Sequence, residues 1–294
     1  MQNKQYPSRK KIDVIAGAWI IFQGWDPQQQ YDIILDDRKI KEIVDHKPNA
    51  GTYPLDAVLD ARNCLIAPSL CHAHVHLDKC FLLSDPKYAD LEIIEGDFTE
   101  AMELTSKAKA RFEKNDLVRR GQWLISESIA AGVTHMRAFA EVDQGVEFKC
   151  LDAAIELKKS FNGACEIQIC TFAQEPIFVG PHENANRTLM SGAMAHKDVD
   201  VIGSTPYVED NDSNIRNNFV WAIEMGLHHS KHVDLHMDYH LDPKRKPIAP
   251  DAVQVAKDLE KTQARKTGKT MVFGHCTRLT QNSPKEWHGT YASW

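Results

Sequence analysis

The sequence predicts an α/β protein, and three observations carry that expectation. Beyond about residue 60, short apolar runs of strand length alternate with longer segments whose apolar residues recur at helical spacing. Strands separated by helices run parallel, which is the α/β arrangement. Before Asp60 the pattern differs, with short strand-like runs parted only by turn-rich segments.

In chain order, residues Ile12–Phe22, Tyr31–Leu35 and Ile40–Val44 read as strands, separated by the turn signals of residues 23–27 and 36–39. They predict a small N-terminal β-domain over residues 1–60. The strands expected next are Cys64–Ala67, Val133–Phe139, Glu166–Phe172, Val199–Gly203, Val233–His236 and Thr270–Gly274. Two helices fall between the first pair. For the second of these, Asp116 is a candidate cap, Leu117, Gly121, Leu124, Ser128 and Ala131 share a face, and Gly132 can end it in the left-handed conformation. Helices are also expected over Ile215–Met225 and over Asp251–Lys266, the latter after Pro250 and before Gly268. Six strand–helix units can be counted, whereas a closed barrel of this kind needs eight. Residues 61–294 therefore read as a (β/α) barrel lacking its last strands, unless one expected strand merges two.

Composition narrows the function. The chain of 294 residues has room for one large barrel domain or two medium ones. Its net charge is −6, with 35 basic against 41 acidic residues, so it lacks the positive field that nucleic acid requires. Seven cysteines, odd in number and without a C-x-x-C pair, suggest reduced thiols in the cytoplasm. Arg9, Lys10 and Lys11 precede an apolar run, Val14–Phe22, that could pass for a signal-peptide core, but no small-residue cleavage site follows. No run approaches the ~18 apolar residues of a membrane span. The expected partner is a small-molecule substrate, with neither nucleic acid nor membrane, and homo-oligomerisation is left open.

The sharpest local signal is Leu70-Cys71-His72-Ala73-His74-Val75-His76-Leu77-Asp78. Residues two apart on a strand project to one side, so His74 and His76 can present two imidazoles to one metal ion, and His72 shares their parity. Polar residues of an ordinary loop are the alternative. Ala67-Pro68 followed by His74-Val75-His76-Leu77-Asp78 resembles the H-x-H signature of the metal-dependent amidohydrolase superfamily, and the longer context is similar to its cytosine deaminase branch. Further matches follow in order: Val133–Arg137, Phe172–Glu175, Val199–Pro206, Val233–Asp238 and Phe273–Thr277.

The resemblance implies a TIM-type (β/α) barrel preceded by part of a small β-sandwich, and one divalent metal ion, zinc or iron, held by His74, His76 and His236. It implies that His275 hydrogen-bonds or polarises the reacting group, with a buried core histidine as the alternative. Gln174 would read an amide-like edge of a flat heterocycle, or be a polar loop residue. The activity implied is hydrolysis of a non-peptide C–N bond in a small cyclic amide or aminated heterocycle. Two departures qualify it. Deaminases of this branch carry glutamate three residues after the fifth-strand histidine, where this chain has Tyr239, a poor base near neutrality that can still stabilise an oxyanion. Asp238 and His240 flank it but project elsewhere. The family's late metal-binding aspartate has no counterpart, which makes an impaired fragment retaining part of the metal site the rival expectation. Asp78 reads as a positioning residue or a solvated one, Lys79 as a rim charge, and Lys244-Arg245-Lys246 as a solvated face.

Overall fold

The computed structural model describes residues 11–21, 26, 28–37, 39–47, 53–262 and 268–286, which form two compact units divided between Ser69 and Leu70. The first unit holds strands β1 (Val14–Ile20), β2 (Tyr31–Asp36), β3 (Lys39–Asp45), β4 (Val58–Asp60) and β5 (Leu65–Ile66). They make one sheet in the order β3-β2-β1-β4, with β5 also pairing β1. β1–β2 and β2–β3 are antiparallel, while β4 and β5 run parallel to β1. The three expected strands are present within two residues of their expected bounds, although Phe22, most of the turn over residues 23–27 and Arg38 lie outside the described residues. A second layer of a sandwich is not among those residues.

The start of the barrel needs correction. Cys64–Ala67 was expected to open it, but Leu65–Ile66 pairs with β1 in the small sheet. Pro68, which has no N–H to give to a ladder, separates that short strand from the next. The histidine motif is itself the first strand of the larger sheet, β6 (Leu70–His76).

The second unit continues with β7 (Val133–Glu141), β8 (Glu166–Ala173), β9 (Val199–Ser204), β10 (His232–Met237) and β11 (Met271–His275). All neighbours are parallel, in the order β11-β10-β9-β8-β7-β6. Between them lie α1 (Phe98–Lys109), α2 (Lys114–Ala130), α3 (Lys149–Ser160), α4 (Glu183–Met194), α5 (Asp212–His229) and α6 (Ala249–Thr262). Asp116 lies in the first turn of α2 rather than at its cap, which is Glu113. Gly132 does end that helix region with φ of +93°, as expected. α6 starts two residues early, and its expected end at Lys266 lies outside the described residues. Among the described residues no helix is long and apolar enough to cross a membrane.

Strand periodicity divides the core in two. Ala138, Ala140, Ile167, Ile169, Ile202, Val233 and Leu235 join the large cluster that packs with the helices. Their alternates Phe139, Cys170, Phe172 and Val201 form a separate small cluster on the opposite face. That second face is concave. In a flat sheet, residues four strands apart would lie ~19 Å from each other, yet the rings of His74 on β6 and His236 on β10 are 4.4 Å apart. The sheet is therefore a curled, six-stranded half-barrel, and the concave face is crowded: a Cβ on Gly203 would approach Asp234 O, Cys170 Sγ and Phe172 Cδ2 to 2.8 Å. Only glycine fits there without displacing a neighbour.

Candidate functional site

Curling brings the C-terminal ends of β6, β10 and β11 together, the end of such a sheet where catalytic side chains gather. Ring centroids of His74 and His76 are 5.2 Å apart, those of His76 and His236 5.5 Å, and those of His236 and His275 4.7 Å. Phe139 and Phe172 pack beneath, 4.9 Å from His76 and 4.5 Å from His236 respectively. The structure thus brings the expected ligands His74, His76 and His236 together with His275.

The tightest donor set differs from the expected trio: one ring nitrogen each of His74, His236 and His275 lie within 4.8 Å of one another, and His76 is outside that set. Tetrahedral nitrogen ligands at ~2.1 Å from zinc are about 3.4 Å apart, so modest ring rotations would close the set on an ion. Nδ1 of His76 and Nε2 of His236 are buried without a hydrogen-bond partner. Buried orphan nitrogens are costly unless something else engages them, and a divalent metal ion fits both.

Burial lowers the pKa of all four imidazoles. It is the first cause for His236, which is driven far below the ordinary range, and for His76, held at about 3 with help from the Lys79 ammonium. His74 is lowered by burial and then by Arg137, while His275 is lowered by burial and His74 against the opposing pull of Asp234. Neutral imidazole is the form that ligates metals. The sign for stability follows from the depressed values. Below about pH 6.5 the unfolded chain takes up protons that the folded cluster refuses, so the metal-free protein should lose stability as pH falls from 7 to 5. Urea unfolding at several pH values checks this, and the slope should flatten in His76→Gln.

The backbone beyond these strands is unusual. Asp238, His275 and Cys276 have φ of 49°, 62° and 51°, a left-handed region that residues other than glycine visit rarely. At Asp238 the turn aims the carboxylate at α6, where it accepts hydrogen bonds from the backbone N–H of Ile248 and Ala249, both at 2.8 Å. Asp238 is thus a structural anchor for the start of α6. Tyr239 follows it, with its ring 4.5 Å from that of Tyr207 and 6.0 Å from that of His240.

Lys79 requires a second correction, because it is not a rim charge. Its Nζ lies 2.5 Å from Glu141 Oε1 and donates to Gln174 Oε1 at 3.0 Å. The buried Glu141 is also 2.7 Å from Lys109 Nζ, which reaches Asp143 at 2.5 Å and Glu175 at 3.1 Å. Despite its own burial, Glu141 is held down at about 2 by the two lysines. Asp78 is buried rather than solvated and accepts from the Glu141 N–H at 2.8 Å. Burial, reinforced by Glu141, raises its carboxyl to about 6. Arg120, fully buried, donates to the carbonyls of Asp78 and Cys80 and so pins the loop after β6. Gln174 is buried, with its amide oxygen taken by Lys79 and its nitrogen 3.8 Å from Met102 Sδ. Its NH₂ therefore has only a weak sulfur acceptor among these contacts.

Sequence reasoning missed Lys109, Glu141, Asp143 and Arg120. Only Glu141, at the C-terminal end of a parallel strand, carried a positional signal that could have marked it.

No protein-family model matches the chain. Over 159 residues it is 27% identical to the N-isopropylammelide isopropyl amidohydrolase of Pseudomonas sp. (strain ADP), covering 51% of this chain and 36% of that protein. Among solved structures, 5-methylcytosine deaminase from Klebsiella pneumoniae liganded with 5-fluorocytosine superposes with a TM-score of 0.78 at 21% identity, covering 95% of this chain and 62% of that one. N-isopropylammelide isopropylaminohydrolase from Burkholderia multivorans superposes with a TM-score of 0.64 at 20% identity, covering 95% and 65%. The chain spans less than two thirds of the length of each of these relatives. The fold is that of these deaminase and aminohydrolase structures, in line with the resemblance read from the histidine motif and the strand ends that follow it.

Proposed function

We propose that this chain is the metal-site portion of an amidohydrolase that cleaves a non-peptide C–N bond in a cyclic amide or aminated heterocycle. The observation that carries the reading is the convergence of His74, His76, His236 and His275 at one end of a curled parallel sheet, with two buried ring nitrogens unpartnered. In this reading the separate β-domain runs on past residue 60 to Ser69, and the (β/α) barrel begins at Leu70. His74, His76 and His236 hold one divalent ion, zinc or iron, and His76 turns its ring to join the other two. Bound there, the ion would supply the Lewis acidity that brings the pKa of water close to neutral. His275, neutral and half-open to solvent, donates a hydrogen bond to the oxygen on which charge develops. Gln174, its oxygen fixed by Lys79, offers its NH₂ to a ring nitrogen or carbonyl of the substrate. The relatives support the choice of bond and heterocycle through their names.

Metal analysis of the purified protein, followed by a hydrolysis screen of cyclic amides and aminated heterocycles, tests the proposal. Stoichiometric metal with turnover of at least one such compound is expected, and failure to bind zinc, iron or manganese overturns it. By the resemblance, Tyr239 stands at the sequence position where deaminases of this branch carry the glutamate that shuttles a proton to the leaving amine. Cytosine deamination should accordingly be feeble in the native protein and rise by about 10² to 10⁴-fold in Tyr239→Glu, the range a positioned acid–base group supplies. Ammonia release from cytosine measures it, and robust release by the unaltered protein contradicts the role assigned to this position.

A further inference from the structure

A cavity of about 270 Å³ opens beside the candidate site, lined by Lys79 and by apolar side chains that include Leu82, Leu83, Tyr88, Leu91 and Leu104. Its wall is tied to the histidine strand through Lys79. Lys79 lies three residues after His76 and donates its backbone N–H to the His76 carbonyl at 3.3 Å. The same residue's ammonium holds the Gln174 amide, so one side chain forms both the polar contact to Gln174 and part of the cavity wall.

The lining is mostly apolar, with Asp97, Glu100 and Thr105 as its other polar members. The two carboxylates are engaged: Glu100 accepts from the backbone N–H of Ile94, Glu95 and Gly96, and Asp97 from that of Glu100. Tyr88 turns its hydroxyl away to Asp116, at 2.9 Å, and leaves its ring to the cavity. The Lys79 charge is spent on Glu141 and Gln174. Leu83 and Ile93, which also line it, are 68% and 54% exposed, so the cavity presents aliphatic surface to an incoming group. The volume suits a group of several carbon atoms rather than a second ring system with polar edges.

We infer that this cavity is a subsite for an apolar substituent on the substrate, such as an alkyl or aryl group attached to the heterocycle whose polar edge meets Gln174. The inference rests on the proposed function for the identity of the heterocycle. The cavity itself does not depend on catalysis, and its occupancy is measured by binding.

The test is a titration of the metal-loaded protein, followed through the methyl resonances of Leu82, Leu83, Leu91, Ile93 and Leu104. The probes are cytosine and its benzyl derivatives at C5 and at the exocyclic nitrogen. At least one benzyl derivative should bind about 10- to 100-fold more tightly than cytosine, the gain expected for burying a phenyl-sized group, with saturable shifts at these methyls. Ala101 lines the cavity and is exposed, so Ala101→Phe can fill the space from its mouth without disturbing the core. In that variant, and in Leu104→Trp as an independent blockade, the ratio of the two affinities should collapse toward one. Equal affinities in the unaltered protein, or a ratio that survives both substitutions, overturns the subsite. Tight benzyl binding that obeys these tests, accompanied by no hydrolysis of any heterocycle, would sustain the subsite and count against the hydrolase reading alone.

Discussion

His236→Ala is expected to abolish metal retention and lower hydrolysis by at least about 10³-fold, the scale on which losing a central catalytic element acts. The expectation follows from position. His236 is the most buried of the four histidines, at 2% exposure, and like His74 it meets all the others, at 4.4 Å for His74, 5.5 Å for His76 and 4.7 Å for His275. Whichever of His76 and His275 completes the donor set, His236 belongs to it. The other two separate the alternatives. If His76 is the ligand, His76→Ala loses metal, while His275→Ala keeps it and loses about 10² to 10³ in turnover, the cost of removing one oxyanion donor. If the tight set of His74, His236 and His275 is the ligand set, the two results exchange. Metal content after dialysis, read beside turnover, decides between them, and a His236→Ala protein that keeps stoichiometric metal removes the centre from this place altogether.

The sequence made part of this site legible for identifiable physical reasons. A strand's two-residue period announces itself locally, so His74 and His76 could be paired on one side from their spacing alone. His236 and His275 were reachable only through the resemblance, which sets them at the ends of two strands that are themselves legible from Val233 and Leu235 in one case and the apolar run of residues 271–273 in the other. The boundary at Cys64–Ala67 misled because a two-residue strand and the start of a longer one look alike when only apolar content is read, and what distinguishes them is pairing. Leu65–Ile66 finds β1, some 45 residues earlier.

Lys79 shows the opposite failure. A lysine after a strand end is usually solvated, and nothing nearby says otherwise. Its partners Glu141 and Gln174 lie 62 and 95 residues away, brought to it only by the neighbouring strands β7 and β8. Ion networks across a curled sheet have no sequence period, so composition and spacing cannot reveal them. Asp116 was misplaced for a related reason. An acidic residue in the first turn and one at the cap look the same in sequence, and the tertiary contact that distinguishes them is the hydroxyl of Tyr88.

That network supports the second large effect. Lys109→Met keeps a flexible apolar stem of nearly the same length and removes the ammonium with its hydrogen bonds. Lys109 is 5% exposed and lies within 3.1 Å of Glu141, Asp143 and Glu175, so its loss leaves three carboxylates facing one another with Lys79 as the nearest cation to one of them. Removing one partner of a buried ion pair costs about 3–5 kcal/mol, because the remaining charge is stranded rather than because the pair was strongly stabilising. Urea unfolding at pH 7 should show a loss of that size.

The pH dependence distinguishes stranded charge from lost packing. In the unaltered protein Glu141 is held at about 2, below its ordinary value, so the unfolded state binds protons first and the Glu141 contribution falls as pH drops from above 4.5 toward 2. In Lys109→Met the crowded carboxylates gain affinity for protons, the folded state binds them first, and acidification from pH 7 to 5 should restore part of the lost stability. Asp78, raised to about 6, titrates in the same window in the native protein, so the readout is the difference between variant and native curves. A gap that narrows on acidification identifies charge as the cause. A gap that stays constant would mean that Lys109 acts through its hydrocarbon stem, and that the three carboxylates are not held apart by its ammonium.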